Sequence, residues 1–114
     1  MSIASDLIRG NTESIILANL LQGDSYGYKI NKAIFEKTDQ QFELKEATLY
    51  TAFKRLEEAG NISSYWGDET SGARRRYYSI TNEGKQTFHR LKTDWQTAKN
   101  LIDRLITGEE TNND

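Results

Sequence analysis

The stretch LKEATLYTAFKRLEEAGNI, residues 44–62, predicts an amphipathic helix that ends at a glycine. Its apolar residues recur at helical spacing and share one face, which we expect to pack inward: Leu49, Ala52, Phe53 and Leu56. Gly60 and Asn61 end the helix, since both residue types readily adopt left-handed backbone conformations. We therefore predict a helix from about Glu46 to Ala59.

The opposite face of this helix is polar and partly basic. It carries Ala47, Thr48, Tyr50, Thr51, Lys54, Arg55 and Glu58. Small and hydrogen-bonding residues early in a helix, with basic ones a turn later, suit contacts with base edges followed by phosphates. The same pattern also occurs on the solvated face of an ordinary surface helix, so the helix alone does not decide between the two readings.

A basic β-hairpin is predicted directly after the helix. Residues 62–66 and 74–80 read as strands rich in aromatic residues, and residues 67–72 as the turn. Arg74, Arg75 and Arg76 lie in a segment without acids, although the middle arginine of a strand points away from its neighbours. A helix followed by a basic hairpin predicts a winged helix-turn-helix, in a mainly α fold with a small β-hairpin (α+β). The polar helix residues Ala47, Thr48, Tyr50, Thr51, Lys54 and Arg55 and the three arginines are the predicted DNA contacts.

Two further helices are predicted before this segment. Residues 5–21 have a broad apolar face and form the first helix, which residues 22–25 end. Asp24 or Ser25 is expected to cap a second helix of about 10 to 13 residues, on which Tyr26 and Ile30 begin the apolar face. Residues 38–43 are expected to form a polar loop.

The last helix has the most regular periodicity in the chain. Thr81 is its predicted N-cap, and its apolar residues follow an a/d heptad pattern: Phe88, Leu91, Trp95, Ala98, Ile102 and Leu105. These six a/d residues form an apolar seam along the helix. The seam predicts a homodimer, although such a seam can also pack inside its own domain. We expect a DNA-binding domain over residues 1–82, a dimerisation helix over 83–107 and a disordered tail over 108–114.

Composition limits the other classes of function. The chain has 114 residues, a net charge of −2, no cysteine and one histidine, so disulfides, thiolate catalysis and histidine metal clusters are excluded. His89 is expected to be solvated, and the glycine-bounded turn lacks the lysine of a phosphate loop. We expect no enzyme activity, metal or cofactor. The longest apolar run, residues 15–18, is too short to span a membrane, and without a signal pattern we expect a cytoplasmic protein.

Several segments together resemble the PadR family of bacterial transcriptional regulators, and more narrowly its short, LmrR-like subgroup. The matching segments are residues 23–28 (GDSYGY), 47–50 (ATLY), 56–57 (LE), 65–68 (YWGD) and 74–78 (RRRYY), with Thr81 and Gly84. Their order and spacing match over roughly residues 9–106. The resemblance implies a winged-helix dimer that represses transcription, with the last helix and the first building the dimer interface.

The subgroup resemblance also implies a ligand site at Trp95. In that subgroup a tryptophan of the last helix faces its dimer partner across a pore, and planar drug-like compounds stack between the two rings. An indole beside the small Ala98 suits a flat aromatic or cationic guest. Glu13, Lys92 and Lys99 are expected near this site, so its charge pattern need not be that of the subgroup and the subgroup's ligand range is not carried over. The alternative is that Trp95 simply fills the seam.

The main rival function is a winged-helix module that binds an acidic protein. A basic, aromatic wing fits either partner, but Thr48, Thr51 and Lys54 favour DNA, because a protein-binding face would carry more large apolar residues. The sequence thus predicts a homodimer that binds palindromic double-stranded operator DNA, and the resemblance implies a response to a planar aromatic effector.

Overall fold

The computed structural model describes residues 3–67 and 74–108, and within them it confirms the winged helix-turn-helix. The elements in chain order are α1 (Ile3–Arg9), α2 (Thr12–Leu21), β1 (Ser25–Tyr26), α3 (Gly27–Lys37), α4 (Glu46–Glu58), β2 (Ile62–Trp66), β3 (Arg76–Ile80) and α5 (Asn82–Thr107). The three strands form an antiparallel sheet in the order β1-β3-β2. The predicted turn after Gly67 and the predicted tail after Gly108 lie outside the described residues.

One hydrophobic core joins the helices to the sheet. Its buried residues come from α2, α3, the loop before α4, α4 itself and the strands: Ile16, Leu17, Leu20, Ile30, Ile34, Phe42, Leu44, Leu49, Ala52, Phe53, Leu56, Ile62 and Tyr78. The predicted inward face of α4 is therefore confirmed. No helix within the described ranges is long and apolar enough to cross a membrane.

The prediction of a single first helix over residues 5–21 is wrong. The chain turns at Gly10 and Asn11, which separate α1 from α2. The backbone N–H of Asn11 donates to the Ile8 carbonyl (2.8 Å), and its side-chain amide donates to the Leu7 carbonyl (3.1 Å). Glycine is a poor helix former and asparagine offers such competing hydrogen bonds, so together they interrupt the helix.

The predicted cap of the second helix is also wrong. Helix α3 begins after Tyr26, which makes no side-chain capping bond. Ser25 and Tyr26 instead pair with Tyr78 and Tyr77 as a third strand. Tyr26 therefore belongs to the sheet rather than to the helix, and pairing over a long sequence separation has overridden the local capping signal.

The loop before α4 is anchored rather than simply polar. Phe42 within the predicted loop is buried, as is Leu44 just after it. The Asn31 side chain donates to the Leu44 carbonyl (2.7 Å) and accepts from the Leu44 N–H (2.8 Å). These two bonds fix the path by which the chain enters α4.

Hydrogen bonds join the start of α5 to Gly60 and Asn61, the residues that follow α4. Its predicted N-cap is confirmed, since the Thr81 hydroxyl accepts from the Gly84 N–H (2.9 Å) while donating to the Gly60 carbonyl (2.7 Å). Asn61 accepts from the Thr81 N–H (3.1 Å) and, through its side chain, from the Thr87 hydroxyl (2.8 Å). The two helices are thus held together by a short, hydrogen-bonded junction.

The junction predicts that Gly84→Ala destabilises the protein. A Cβ at Gly84 would lie 2.0 Å from the Asn61 carbonyl oxygen, so α5 must move away from the body. We expect a loss of about 1–3 kcal/mol in the free energy of unfolding, as for other overpacked sites, measured by denaturant titration. Gly10→Ala is the matched control, because its added Cβ meets nothing closer than 3.5 Å. Equal stability of the two variants would contradict the prediction.

Candidate nucleic-acid interface

The outward face of α4 is accessible along its length. Ala47, Tyr50, Thr51, Lys54 and Arg55 are exposed, and Thr48 is half-buried. This orientation follows from the burial of the opposite apolar face in the core. All six predicted helix contacts therefore lie on the solvent side of α4.

Aromatic packing fixes α4 against the sheet. Phe53 stacks on Tyr78 of β3 with ring centroids 3.9 Å apart, and Tyr50 meets Phe53 edge-on at 5.4 Å. Burial raises the pKa of the Tyr78 phenol, and the nearby Arg76 guanidinium opposes that rise. Gly27 allows α3 to approach, since a Cβ there would lie 2.6 Å from the Tyr50 hydroxyl oxygen.

The three wing arginines occupy both faces of the hairpin. Strand β3 begins at Arg76 rather than at the predicted Arg74, and beyond it Gly67 N–H donates to the Arg75 carbonyl (2.7 Å). The Arg74 and Arg76 guanidinium carbons lie 5.2 and 5.6 Å from the centre of the Trp66 ring. Arg75 lies over Tyr26, at 4.8 Å. Aromatic rings thus hold all three arginines by cation–π contacts.

The outer face of the sheet carries a row of tyrosines. Tyr77 stacks on Tyr65 at 5.6 Å and meets Tyr26 edge-on at 5.2 Å. The Tyr65 hydroxyl donates to Asp24 (2.6 Å), and this bond to a carboxylate raises the pKa of Tyr65. The row therefore ties the wing to the turn between α2 and β1.

A cleft of about 570 Å³ separates α4 from the wing. Four of its lining residues are basic and one is acidic: Lys54, Arg74, Arg75 and Arg76, against Glu57. Tyr50 and Trp66 also line it. Clustered guanidinium and ammonium groups beside aromatic rings provide a site for a polyanionic strand. The cleft therefore brings two of the predicted helix contacts, Tyr50 and Lys54, together with the three wing arginines. The other four predicted helix contacts line a separate groove: Ala47, Thr48, Thr51 and Arg55.

Arg55 faces a different groove and is paired with Glu13. Their side chains form an ion pair of 3.2 Å between the first turn of α2 and α4. They line a groove of about 760 Å³ that also includes Thr51, Asp94 and Trp95. The sequence predicted a DNA contact for Arg55 and a place near the ligand site for Glu13. It did not predict that the two contact each other, because they lie 42 positions apart.

Trp95 lies where this groove meets a second, apolar one. The second groove, of about 380 Å³, is lined by Leu7, Ile8, Asn11, Ser14, Ile15, Ala18, Phe88, Lys92 and Trp95. Of the other predicted ligand residues, Lys92 lines the apolar groove, Glu13 lines the larger one, and Lys99 is exposed and lines neither. Within the described ranges no three metal-ligating side chains cluster together.

The predicted seam of α5 divides into two parts. Phe88 and Leu91 pack against the core of their own domain. Ala98 is half-buried, whereas Trp95 and Ile102 are each 47% exposed and Leu105 is 83% exposed. The seam is therefore partly internal, and its C-terminal half presents apolar side chains to solvent.

The structure adds residues that sequence reasoning did not assign. Trp66 supports two arginines, and Tyr26 supports the third. Glu57 and Ser64 connect α4 to the wing, with 2.6 Å between the Ser64 hydroxyl and the Glu57 carboxylate. In the sequence, the period-two alternation of β2 was the feature that could have predicted this, since it places Ser64 and Trp66 on the same face of the strand.

An exposed polar helix beside a basic wing is the arrangement found in winged-helix DNA-binding regulators. A family model described as "Transcriptional regulator PadR-like family" matches residues 16–90. The chain therefore belongs to the PadR-like family of transcriptional regulators, which confirms the resemblance to that family. It is a DNA-binding transcription regulator by this membership.

Three similar proteins support the assignment. A solved structure described as a transcriptional regulator from Clostridium thermocellum is 48% identical, with a TM-score of 0.82, over 90% of this chain and 97% of that one. "Uncharacterized protein X" of Lysinibacillus sphaericus is 44% identical over 95% of this chain and 99% of its own length. "Negative transcriptional regulator PadR" of Bacillus subtilis is 27% identical over 82% of this chain and 50% of its own length.

Proposed function

We propose that the protein is a homodimeric repressor that reads a palindromic operator with α4 and is released by a planar aromatic or cationic compound at Trp95. The observation that most strongly supports this proposal is the cleft in which Lys54 of α4 and the wing arginines lie together. Repression is supported by the Bacillus subtilis relative, which is described as a negative regulator. In the complex, α4 enters the major groove and the wing contacts the flanking phosphates.

The roles within α4 follow from side-chain chemistry. Thr51 lies near the middle of the exposed face and offers a hydroxyl donor and acceptor for base edges. Lys54 lies one turn later and points a charge into the cleft, where it meets a phosphate. Specificity and affinity are thus assigned to different residues of the same helix.

We expect Lys54→Ala to weaken operator binding and Thr51→Ala to change sequence preference more than affinity. Lys54→Ala should also reduce the slope of log affinity against log salt by about one unit, as for a phosphate contact. Footprinting on the upstream region of the protein's own gene should show two protected half-sites about 10 base pairs apart. Lys37→Ala, at the far end of α3, is the matched control. An asymmetric footprint, or equal binding to unrelated DNA, would contradict the proposal.

The proposed dimer uses the exposed half of α5. Leu101, Ile102, Leu105 and Ile106 are each at least 47% exposed, and Leu7 on α1 is 67% exposed. The apolar groove between α1, α2 and α5 provides a complementary surface for the same helix of a second copy. Covering these side chains removes apolar area from water, at about 25 cal/mol per Å².

We expect Ile102→Glu to convert the dimer to a monomer, because the glutamate charge would be desolvated in the interface. Sedimentation equilibrium at micromolar concentration measures the change. Asn100→Glu adds the same charge on the opposite face of the same turn and should remain dimeric. A wild-type protein that sediments as a monomer would reject the dimer.

The proposed effector site centres on Trp95. This indole is half-exposed and lies between the two grooves, one of which is also lined by Thr51 and Arg55 of α4. A flat guest that stacks on the indole would therefore lie close to the DNA-reading helix. Induction requires that the guest bind more tightly to the DNA-free geometry, since equal affinity for both geometries shifts nothing.

We expect planar cationic dyes to quench Trp95 and to weaken operator binding. The chain has two tryptophans, so Trp66→Phe leaves only Trp95 emission and Trp95→Phe leaves only Trp66 emission. Dye titration should quench the first variant and spare the second. Quenching that persists in Trp95→Phe would place the site elsewhere. Quenching of Trp95 with unchanged operator affinity would establish a pocket without a switch.

A further inference from the structure

Three side chains form a polar link between α4 and the wing. The Ser64 hydroxyl of β2 donates to a carboxylate oxygen of Glu57 in the last turn of α4 (2.6 Å). The same hydroxyl accepts from the Arg76 guanidinium of β3 (2.8 Å). Arg76 also lies 3.7 Å from the second carboxylate oxygen of Glu57. Glu57, Ser64 and Arg76 therefore form a closed triangle, which we call the wing brace.

The brace gives the neighbouring arginines different surroundings. Arg76 contacts Ser64, Glu57 and the Trp66 ring, so its guanidinium is engaged within the protein. Arg74 lies over the same Trp66 ring, but among the described residues it has no carboxylate partner. A guanidinium already paired with a carboxylate must lose that pairing before it can contact a phosphate. Among the described residues, Arg74 has no such pairing to lose.

The brace joins the two walls of the basic cleft. Glu57 and Arg76 both line the cleft, one from each wall. Deeper in the protein, the Phe53–Tyr78 stack already joins α4 to β3. The brace adds a second contact between them at Arg76, the first residue of β3. Two contacts at different points along β3 fix the angle between the sheet and α4 more tightly than one contact would.

We propose that Glu57 and Ser64 are positioning residues that set the distance between the wing and α4, and that Arg76 belongs to this brace rather than to the phosphate contacts. Of the two arginines over Trp66, Arg74 is then the one that contacts the DNA backbone. This inference rests on the proposed binding of DNA by α4 and the wing together. The brace raises affinity by preorganisation, since a wing already at the right distance loses less freedom on binding.

The test separates positioning from contact by the salt dependence of binding. The probe is the upstream fragment with the strongest footprint, and its affinity is measured by fluorescence anisotropy over a series of salt concentrations. Ser64→Ala removes one hydroxyl and no charge, so we expect roughly fivefold weaker binding with an unchanged salt slope. Arg74→Gln should weaken binding and reduce the salt slope by about one unit.

Ser63→Ala is the matched control for Ser64→Ala. Ser63 is the adjacent exposed residue of β2 and pairs with Ser79 on the other face of the sheet. This variant should bind like the wild type. Glu57→Gln is a second brace variant of nearly the same shape, and thermal unfolding checks that each variant is folded. Because brace residues act together, Ser64→Ala with Arg76→Gln should bind no more weakly than Arg76→Gln alone.

Two results would overturn the brace while leaving the proposed function intact. One is wild-type affinity in folded Ser64→Ala and Glu57→Gln. The other is a salt slope that falls by about one unit in Arg76→Gln, which would make Arg76 a phosphate contact. A wild-type protein that binds no DNA fragment would overturn both proposals.

Discussion

The stack of Phe53 on Tyr78 is the contact on which the rest of the interface depends. Phe53 is 1% exposed and Tyr78 is 4% exposed, so the pair lies inside the core while joining α4 to β3. Aromatic pairs of this kind contribute about 0.5–1.5 kcal/mol beyond their buried area. Because α4 cannot rotate about its axis without breaking the stack, its polar face must point to solvent. The same stack places the arginines of the wing beside that face.

The junction at Asn61 extends this rigidity to α5. The carbonyl of Asn61 accepts from Thr81, and Gly84 leaves space for it because any side chain there would collide. The end of α4 and the start of α5 are therefore joined by hydrogen bonds into one unit. A change in the separation of two α5 helices would be passed to α4 with little loss, which is what the proposed effector response requires.

Sequence reasoning succeeded where the signal was local and failed where it was not. The buried face of α4 and the Thr81 cap follow from residues within one or two turns, and both are confirmed. The third strand was missed because Ser25 and Tyr26 are extended only through pairing with β3, more than 50 positions later. The predicted DNA, ligand and dimer contacts stay predictions, although the structure brings Tyr50 and Lys54 of α4 to one cleft with the wing arginines.

The charge of the chain is a second property whose effect depends on the fold. A net charge of −2 argues against general affinity for DNA, yet the basic residues of the cleft outnumber its acidic residue four to one. Three consecutive arginines look equivalent in the sequence, but Trp66 supports two of them and Tyr26 the third. In the described part of the chain, Arg76 is the one of the three that forms an ion pair with Glu57. The role of each arginine is therefore decided by the neighbours that the fold brings to it. In the proposal, Arg76 serves as a brace and Arg74 as a contact, although both lie over Trp66, because Glu57 and Ser64 lie beside Arg76.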